Sequence, residues 1–127
     1  MKPLLIVLGM IFLLTFCAAR PKNVKFHQIS MEQAVPMLQE QDGHLLLDVR
    51  TKEEFSEGHI PNAVNLPNET IGTAMLPQLP DKDQRIFVYC RSGNRSRQAA
   101  AKLVKLGYTN MIEIGGIIDW HGEIVTD

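Results

Sequence analysis

The chain has 127 residues, which is enough for one domain of ordinary size and too few for two. Hydrophobic residues make up 45% of it and charged residues 21%, as in ordinary globular proteins, and the formal net charge is -1. Because basic residues are not in excess and no long run has one charge sign, the composition argues against nucleic-acid binding.

The N-terminal segment has the pattern of an export signal. Lys2 gives a positive start, residues 4–14 are almost wholly apolar, and residues 17–19 are small. The apolar stretch is shorter than the roughly 20 residues that span a bilayer. We therefore expect a signal peptide over residues 1–19, a single domain over residues 20–127, and export, with the periplasm as the compartment.

A lipoprotein signal is the alternative for the same segment. Residues 14–17 resemble a lipoprotein box, cleaved before Cys17, although Phe16 stands where a small residue is usual. Membrane contact is expected only if Cys17 is lipidated or the signal stays uncleaved. Removal of residues 1–19 would leave Cys90 as the one cysteine, which excludes a disulfide within the mature domain.

Short apolar runs and helical patterns alternate along the rest of the chain. Two helices should open on capping boxes, one at Ser30 with Gln33 and one at Thr51 with Glu54. A third helical pattern covers residues 97–104 and ends at Gly107. Strands are predicted over residues 24–29, 45–49, 63–66, 85–89 and 111–114, and a further helix over residues 68–76. The alternation predicts an α/β fold, with a central, mostly parallel five-stranded sheet and helices on both faces.

Cys90 lies where the fourth predicted strand ends. The polar loop Arg91-Ser92-Gly93-Asn94-Arg95-Ser96 follows it and leads into the helix. Sites in parallel sheets form at such strand ends, and loop N–H groups with a helix N-terminus favour anions and thiolates. The pattern predicts a reactive thiol that handles anions.

Several motifs together resemble the rhodanese homology domain. They are Asp48-Val49-Arg50, the run from Gly58 to Pro67, the loop from Cys90 to Ser96, and Gly115-Gly116 with Trp120. They occur in the order that this family has, over roughly residues 26–125. With the export signal, the chain is similar to small exported single-domain rhodaneses of bacteria, and the resemblance implies a rhodanese-like fold.

The resemblance implies that Cys90 is the catalytic nucleophile. In that family the cysteine takes sulfane sulfur from an anionic donor such as thiosulfate, becomes a persulfide, and passes the sulfur to cyanide or a thiol. No cofactor is needed, and ping-pong kinetics are expected. The substrate-binding loop would comprise Arg91, Ser92, Gly93, Asn94, Arg95 and Ser96.

The remaining motif residues are expected to support the structure. Asp48 and Arg50 should pair with neighbouring groups, including Glu54, and His59 should be a hydrogen-bonded structural histidine. The other histidines lack ligand-like spacing to cysteine, so no metal site is predicted.

Two other functions remain open. Rhodanese-like phosphatases and arsenate reductases place five residues between cysteine and arginine, whereas four separate Cys90 from Arg95 here, which gives a smaller cradle. A non-catalytic persulfide carrier or binding module is the other alternative, although the retained Cys90 favours catalysis.

Overall fold

The computed structural model describes residues 25–72 and 76–127. The predicted signal peptide and Cys17 lie outside these residues, as does the start of the first predicted strand. Within the described ranges, no helix has the length and apolar character needed to cross a membrane.

A five-stranded sheet organises the domain, and all of its strand pairings are parallel. The spatial order is β1-β5-β4-β2-β3, which places β4 at the centre. This confirms the predicted α/β fold. The strands are β1 (His27–Gln28), β2 (Leu45–Asp48), β3 (Val64–Asn65), β4 (Ile86–Cys90) and β5 (Met111–Gly116).

Three α-helices connect the strands: α1 (Met31–Leu38), α2 (Lys52–Glu57) and α3 (Asn94–Lys105). Both predicted capping boxes are confirmed, at the starts of α1 and α2. Gly107 follows α3 with a φ of 103°, as expected of a residue that ends a helix.

The helix predicted over residues 68–76 is wrong for the described part of that range. Asn68–Thr70 form a single 3-10 turn with no side-chain cap, and Ile71 is already extended. Burial explains the early stop, because the extended backbone at Ile71 places its side chain in the core, where it is 4% exposed.

The core has two parts, one on each face of the sheet. Alternate side chains of β4 point to opposite faces, so Val88 and Cys90 pack with α3, whereas Phe87 and Tyr89 pack in the cluster that includes α1. Helices therefore cover both faces, and the carboxyl ends of β2, β4 and β5 meet along one edge of the sheet.

Candidate active site

Cys90 is the last residue of β4, and its sulfur lies inside the curve of the loop that follows. The residue is only 1% exposed. Its Sγ accepts a hydrogen bond from the backbone N–H of Gly93 at 3.0 Å and lies 3.5 Å from the hydroxyl oxygen of Ser96. The loop thus surrounds the sulfur with polar hydrogens, although the strand is otherwise apolar.

Helix α3 begins three residues earlier than the sequence pattern predicted. Gly93 adopts the left-handed conformation, with a φ of 111°, and its carbonyl accepts the N–H of Arg97 at 3.2 Å. Asn94, Arg95 and Ser96, which were expected in the loop, therefore form the first helical turn. The N–H groups of that turn, which have no acceptor within the helix, lie beside the sulfur. This arrangement favours an anion there.

The environment of Cys90 favours its thiolate. Burial acts to raise the pKa of the thiol, but hydrogen bonds from the Ser96 hydroxyl and from the backbone N–H groups of Ser96, Gly93 and Ser92 outweigh that effect. The pKa of Cys90 is therefore below its ordinary value. Because the thiolate is the nucleophilic form of cysteine, this environment favours nucleophilic attack by the Cys90 sulfur.

The loop rests directly on the backbone of β5. The β4–β5 register shifts between Val88 and Cys90, and Gly115 in the shifted segment of β5 has a φ of 89°. A Cβ added to Gly116 would lie 2.0 Å from the carbonyl oxygen of Arg91. The Gly-Gly motif is thus needed for close approach, a role that the sequence analysis did not assign.

The arginines of the loop differ in what holds them. Arg95 donates to both carboxylate oxygens of Glu54, at 2.7 and 3.1 Å, and these bonds lower the pKa of Glu54 to about 2. Arg95 therefore ties the loop to α2. Arg91 is exposed, and no acid of the described residues pairs with it. Its charge remains available to a ligand.

Arg97 adds a second cation that the sequence analysis missed. Its Nη1 would lie 3.1 Å from a Cβ built on Gly93, which places the guanidinium directly over the loop. Its position at the fourth residue of α3, one helical turn from Gly93, could have indicated this placement. Ser92 and Asn94 are exposed on the rim beside it.

Asp48 and Arg50 form a closed pair with each other, and Glu54 takes no part in it. Arg50 donates from its backbone N–H and its guanidinium to the Asp48 carboxylate, at distances of 2.7 to 3.1 Å. It also donates to the carbonyl of Gly58 at 2.7 Å. The expected pairing with Glu54 is wrong, because Glu54 binds Arg95 instead.

His59 lies in a structural setting. Its ring stacks on Phe55 at 3.7 Å, and its nitrogens lie 2.9 Å from the Phe55 carbonyl and 3.1 Å from the Asp127 carboxylate. No hydrogen bond joins it to Cys90 within the described residues. In the same part of the chain, no three His, Cys, Asp or Glu side chains are grouped to hold a metal ion.

Comparisons with known proteins agree with this geometry. The family model for the rhodanese-like domain matches residues 30–123. A sulfurtransferase of Allochromatium vinosum is 40% identical over 99 residues, which cover 76% of this chain and 91% of that protein. A solved rhodanese with anions from E. coli has 31% sequence identity and a TM-score of 0.60, and the match covers 66% of this chain and 99% of that one.

One further relative is much longer than this chain. The adenylyltransferase and sulfurtransferase UBA4 of Candida albicans is 38% identical over 120 residues, which cover 87% of this chain. The matched region spans only 27% of that protein. The family match over most of the chain, together with relatives that are sulfurtransferases, supports sulfur transfer in general. The chain belongs to the family of rhodanese-like domains.

Proposed function

We propose that this protein is a thiosulfate-type sulfurtransferase that works through a persulfide of Cys90. The Cys90 thiolate attacks the outer sulfur of thiosulfate, a new S–S bond forms, and the old S–S bond breaks with sulfite as the leaving group. A thiolate or cyanide then attacks the terminal sulfur of the persulfide. The acceptor leaves with that sulfur, and the Cys90 thiolate is restored.

The observation that carries this proposal is the bond from Gly93 N–H to the Cys90 sulfur at 3.0 Å. It lies in a loop whose N–H groups and first helical turn converge on one point. Such donors stabilise the attacking thiolate and the negative charge of the persulfide that replaces it, as an oxyanion hole does.

Two cations favour an anionic donor over a neutral one. Arg91 is exposed on the rim, and Arg97 lies over Gly93. Because Arg95 is held by Glu54, these two side chains are the ones we assign to the sulfonate end of the donor. The E. coli relative, solved with anions, supports an anion site in this family.

Intact mass spectrometry tests the first half-reaction. The full chain and Cys90→Ser are treated with thiosulfate and desalted. Wild type should gain the mass of one sulfur atom, and Cys90→Ser should gain none. Loss of the added mass on addition of cyanide, with thiocyanate formed over many turnovers, identifies the enzyme rather than a carrier. No gain from thiosulfate would refute the proposal.

Release of phosphate from an aryl phosphate, abolished in Cys90→Ser and without thiocyanate formation, would instead identify a phosphatase.

We also propose that the protein acts after export. The pattern of residues 1–19 supports this proposal, because a positive start, an apolar core and small residues follow in order. Fractionation of producing cells, with a fatty-acid label, tests it. A shortened, unlabelled protein in the periplasm supports a cleaved signal, whereas label that is lost in Cys17→Ala identifies the lipoprotein. A full-length protein in the cytoplasm would refute export.

A further inference from the structure

Glu113 is a buried carboxylate that the proposed reaction does not use. The residue is 3% exposed and is the third of the six residues of β5. Its Oε2 accepts from the Ser96 hydroxyl at 2.5 Å and from Gly115 N–H at 2.9 Å, and its Oε1 accepts from the Gln28 amide at 3.3 Å. No Lys, Arg or His among the described residues forms an ion pair with it.

Ser96 contacts both this carboxylate and the Cys90 sulfur. Its hydroxyl oxygen lies 2.5 Å from Glu113 and 3.5 Å from the Cys90 sulfur. Ser96 itself is fully buried, so solvent does not compete for this hydroxyl.

The Ser96 hydroxyl has one hydrogen, which can point to Glu113, to the Cys90 sulfur, or to the carbonyls of Gly93 and Gly115 at 3.0 and 3.4 Å. Two proton arrangements link Glu113 to Cys90 through this hydroxyl. In the first, Ser96 donates to ionised Glu113 and accepts from the Cys90 thiol. In the second, protonated Glu113 donates to Ser96, and Ser96 donates to the Cys90 thiolate. The two arrangements contain the same number of protons and carry the same charge.

We propose that Glu113 is the proton store for the Cys90 thiol and is reached through Ser96. In the transfer, the S–H bond of Cys90 breaks and its proton joins the Ser96 oxygen, while the Ser96 proton moves to Glu113. The products are a thiolate and a carboxylic acid, and no proton enters from or leaves to solvent. Glu113 is thus a positioning residue that acts through Ser96.

The other groups described around Glu113 are neutral, apolar or donors only, so we assign the exchanged proton to Cys90. From β1 it meets the neutral amide of Gln28, and α1 packs on the sheet with the apolar side chains of Met31 and Ala34. From α3 the one charged group nearby is Arg97, whose Nη1 shares the space beside Gly93 with Glu113 Oε2. A guanidinium donates hydrogen bonds and accepts none, so Arg97 cannot take the thiol proton.

The usefulness of this thiolate rests on the proposed sulfur transfer, but the test does not. The thiolate is measured by its ultraviolet absorbance against pH, as the difference between each protein and its Cys90→Ser version, with no sulfur donor present. A pair that shares one proton titrates in two steps, so wild type should show a first rise in thiolate, a plateau of constant partial thiolate, and a second rise at higher pH.

Glu113→Gln keeps the shape of the side chain and removes the store. We expect its thiolate to form in one step from zero, and the same loss of the plateau in Ser96→Ala. Gln28→Ala removes the other side-chain partner of Glu113 and should keep both steps. Thermal unfolding of each variant checks that it is folded.

A single-step wild type with an unchanged Glu113→Gln would overturn the proposal. So would a single-step wild type in which Glu113→Gln only shifts the step to lower pH, because that is the effect of removing a repelling charge. Should Glu113→Gln not fold, wild type alone gives a second test. Its infrared spectrum on the plateau should contain a protonated buried carboxyl band that Cys90→Ser lacks, and a band shared by both proteins would also overturn the proposal.

Discussion

Two neighbouring strands end at the same edge of the sheet and carry opposite kinds of polar site. At the end of β2, Asp48 is fully buried and Arg50 is 6% exposed, and the two occupy each other's hydrogen-bonding groups. At the end of β4, the Cys90 sulfur meets N–H groups that have no carboxylate partner. Position in the fold is therefore not what makes a residue reactive.

The two sites differ in how many of their hydrogen-bonding groups already have a partner within the protein. The Asp48–Arg50 pair also binds the Gly58 carbonyl, and Asn65 donates to the carbonyls of Asp48 and Arg50 at 3.0 Å each. A ligand would have to break these bonds to bind there. The loop after β4 has donors and cations without such partners, so substitutions there should change chemistry, while those after β2 should change stability.

The largest expected effect comes from opening the closed pair. Asp48→Ala leaves the Arg50 guanidinium buried without its carboxylate, and we expect it to lower the free energy of unfolding by about 3–5 kcal/mol. Urea unfolding measures this. The double variant Asp48→Ala with Arg50→Met should cost less than Asp48→Ala alone, because no charge is left buried. A single variant of near wild-type stability would break the comparison.

Gly116→Ala tests the site at the end of β4 through the backbone of β5, on which its loop rests. The added methyl group would collide with the Arg91 carbonyl and with Ser92 Cα, at 2.0 and 2.5 Å. We expect a loss of about 1–3 kcal/mol of stability. The rate of sulfur loading should fall as well, because the N–H groups around the Cys90 sulfur move. Gly72→Ala is the matched control, because no atom of the described part of the chain lies within 4 Å of the added Cβ. Normal loading by Gly116→Ala would contradict the close-approach role.

Glu54→Gln loosens the tie between α2 and the loop and should cost about 1 kcal/mol, as a partly exposed pair does. Hydrogen bonds from Arg95, the largest cause, lower the pKa of Glu54 from 4.5 to about 2. The stabilisation is therefore complete above pH 4.5 and is lost as the pH falls through about 2.

Unfolding measured against pH checks the sign. The stability difference between wild type and Glu54→Gln should be greatest above pH 4.5 and should close toward pH 2. Glu53→Gln, an exposed neighbour on the same helix, is the control and should follow wild type. A difference that grows as the pH falls would show that Arg95 does not act through the ionised form of Glu54.

The sequence predicted much of the fold, because strand alternation, capping boxes and Gly107 are local features. It also predicted that Cys90 lies at a strand end. It misplaced the start of α3, since the αL conformation of Gly93 and its contact with the Cys90 sulfur leave no mark in helical periodicity. It missed Glu113, whose role arises from its distance to Ser96, 17 residues away. Contacts of this kind depend on sheet order and on the β4–β5 register shift, and local patterns do not contain them.

The smallest effect on stability is expected at Arg91, and it sharpens the comparison most. The side chain is exposed and unpaired within the described residues, so Arg91→Ala should change the free energy of unfolding by no more than about 0.5 kcal/mol. An anionic donor would lose one charge-assisted contact, which corresponds to about a tenfold rise in the KM for thiosulfate. Arg85→Ala is the matched control, because it removes the same charge next to the opposite end of β4, where Arg85 pairs with Asp42. If both variants raised KM equally, the effect would come from net charge. A rise confined to Arg91→Ala, reduced by added salt, would show that the open strand end binds the anion directly.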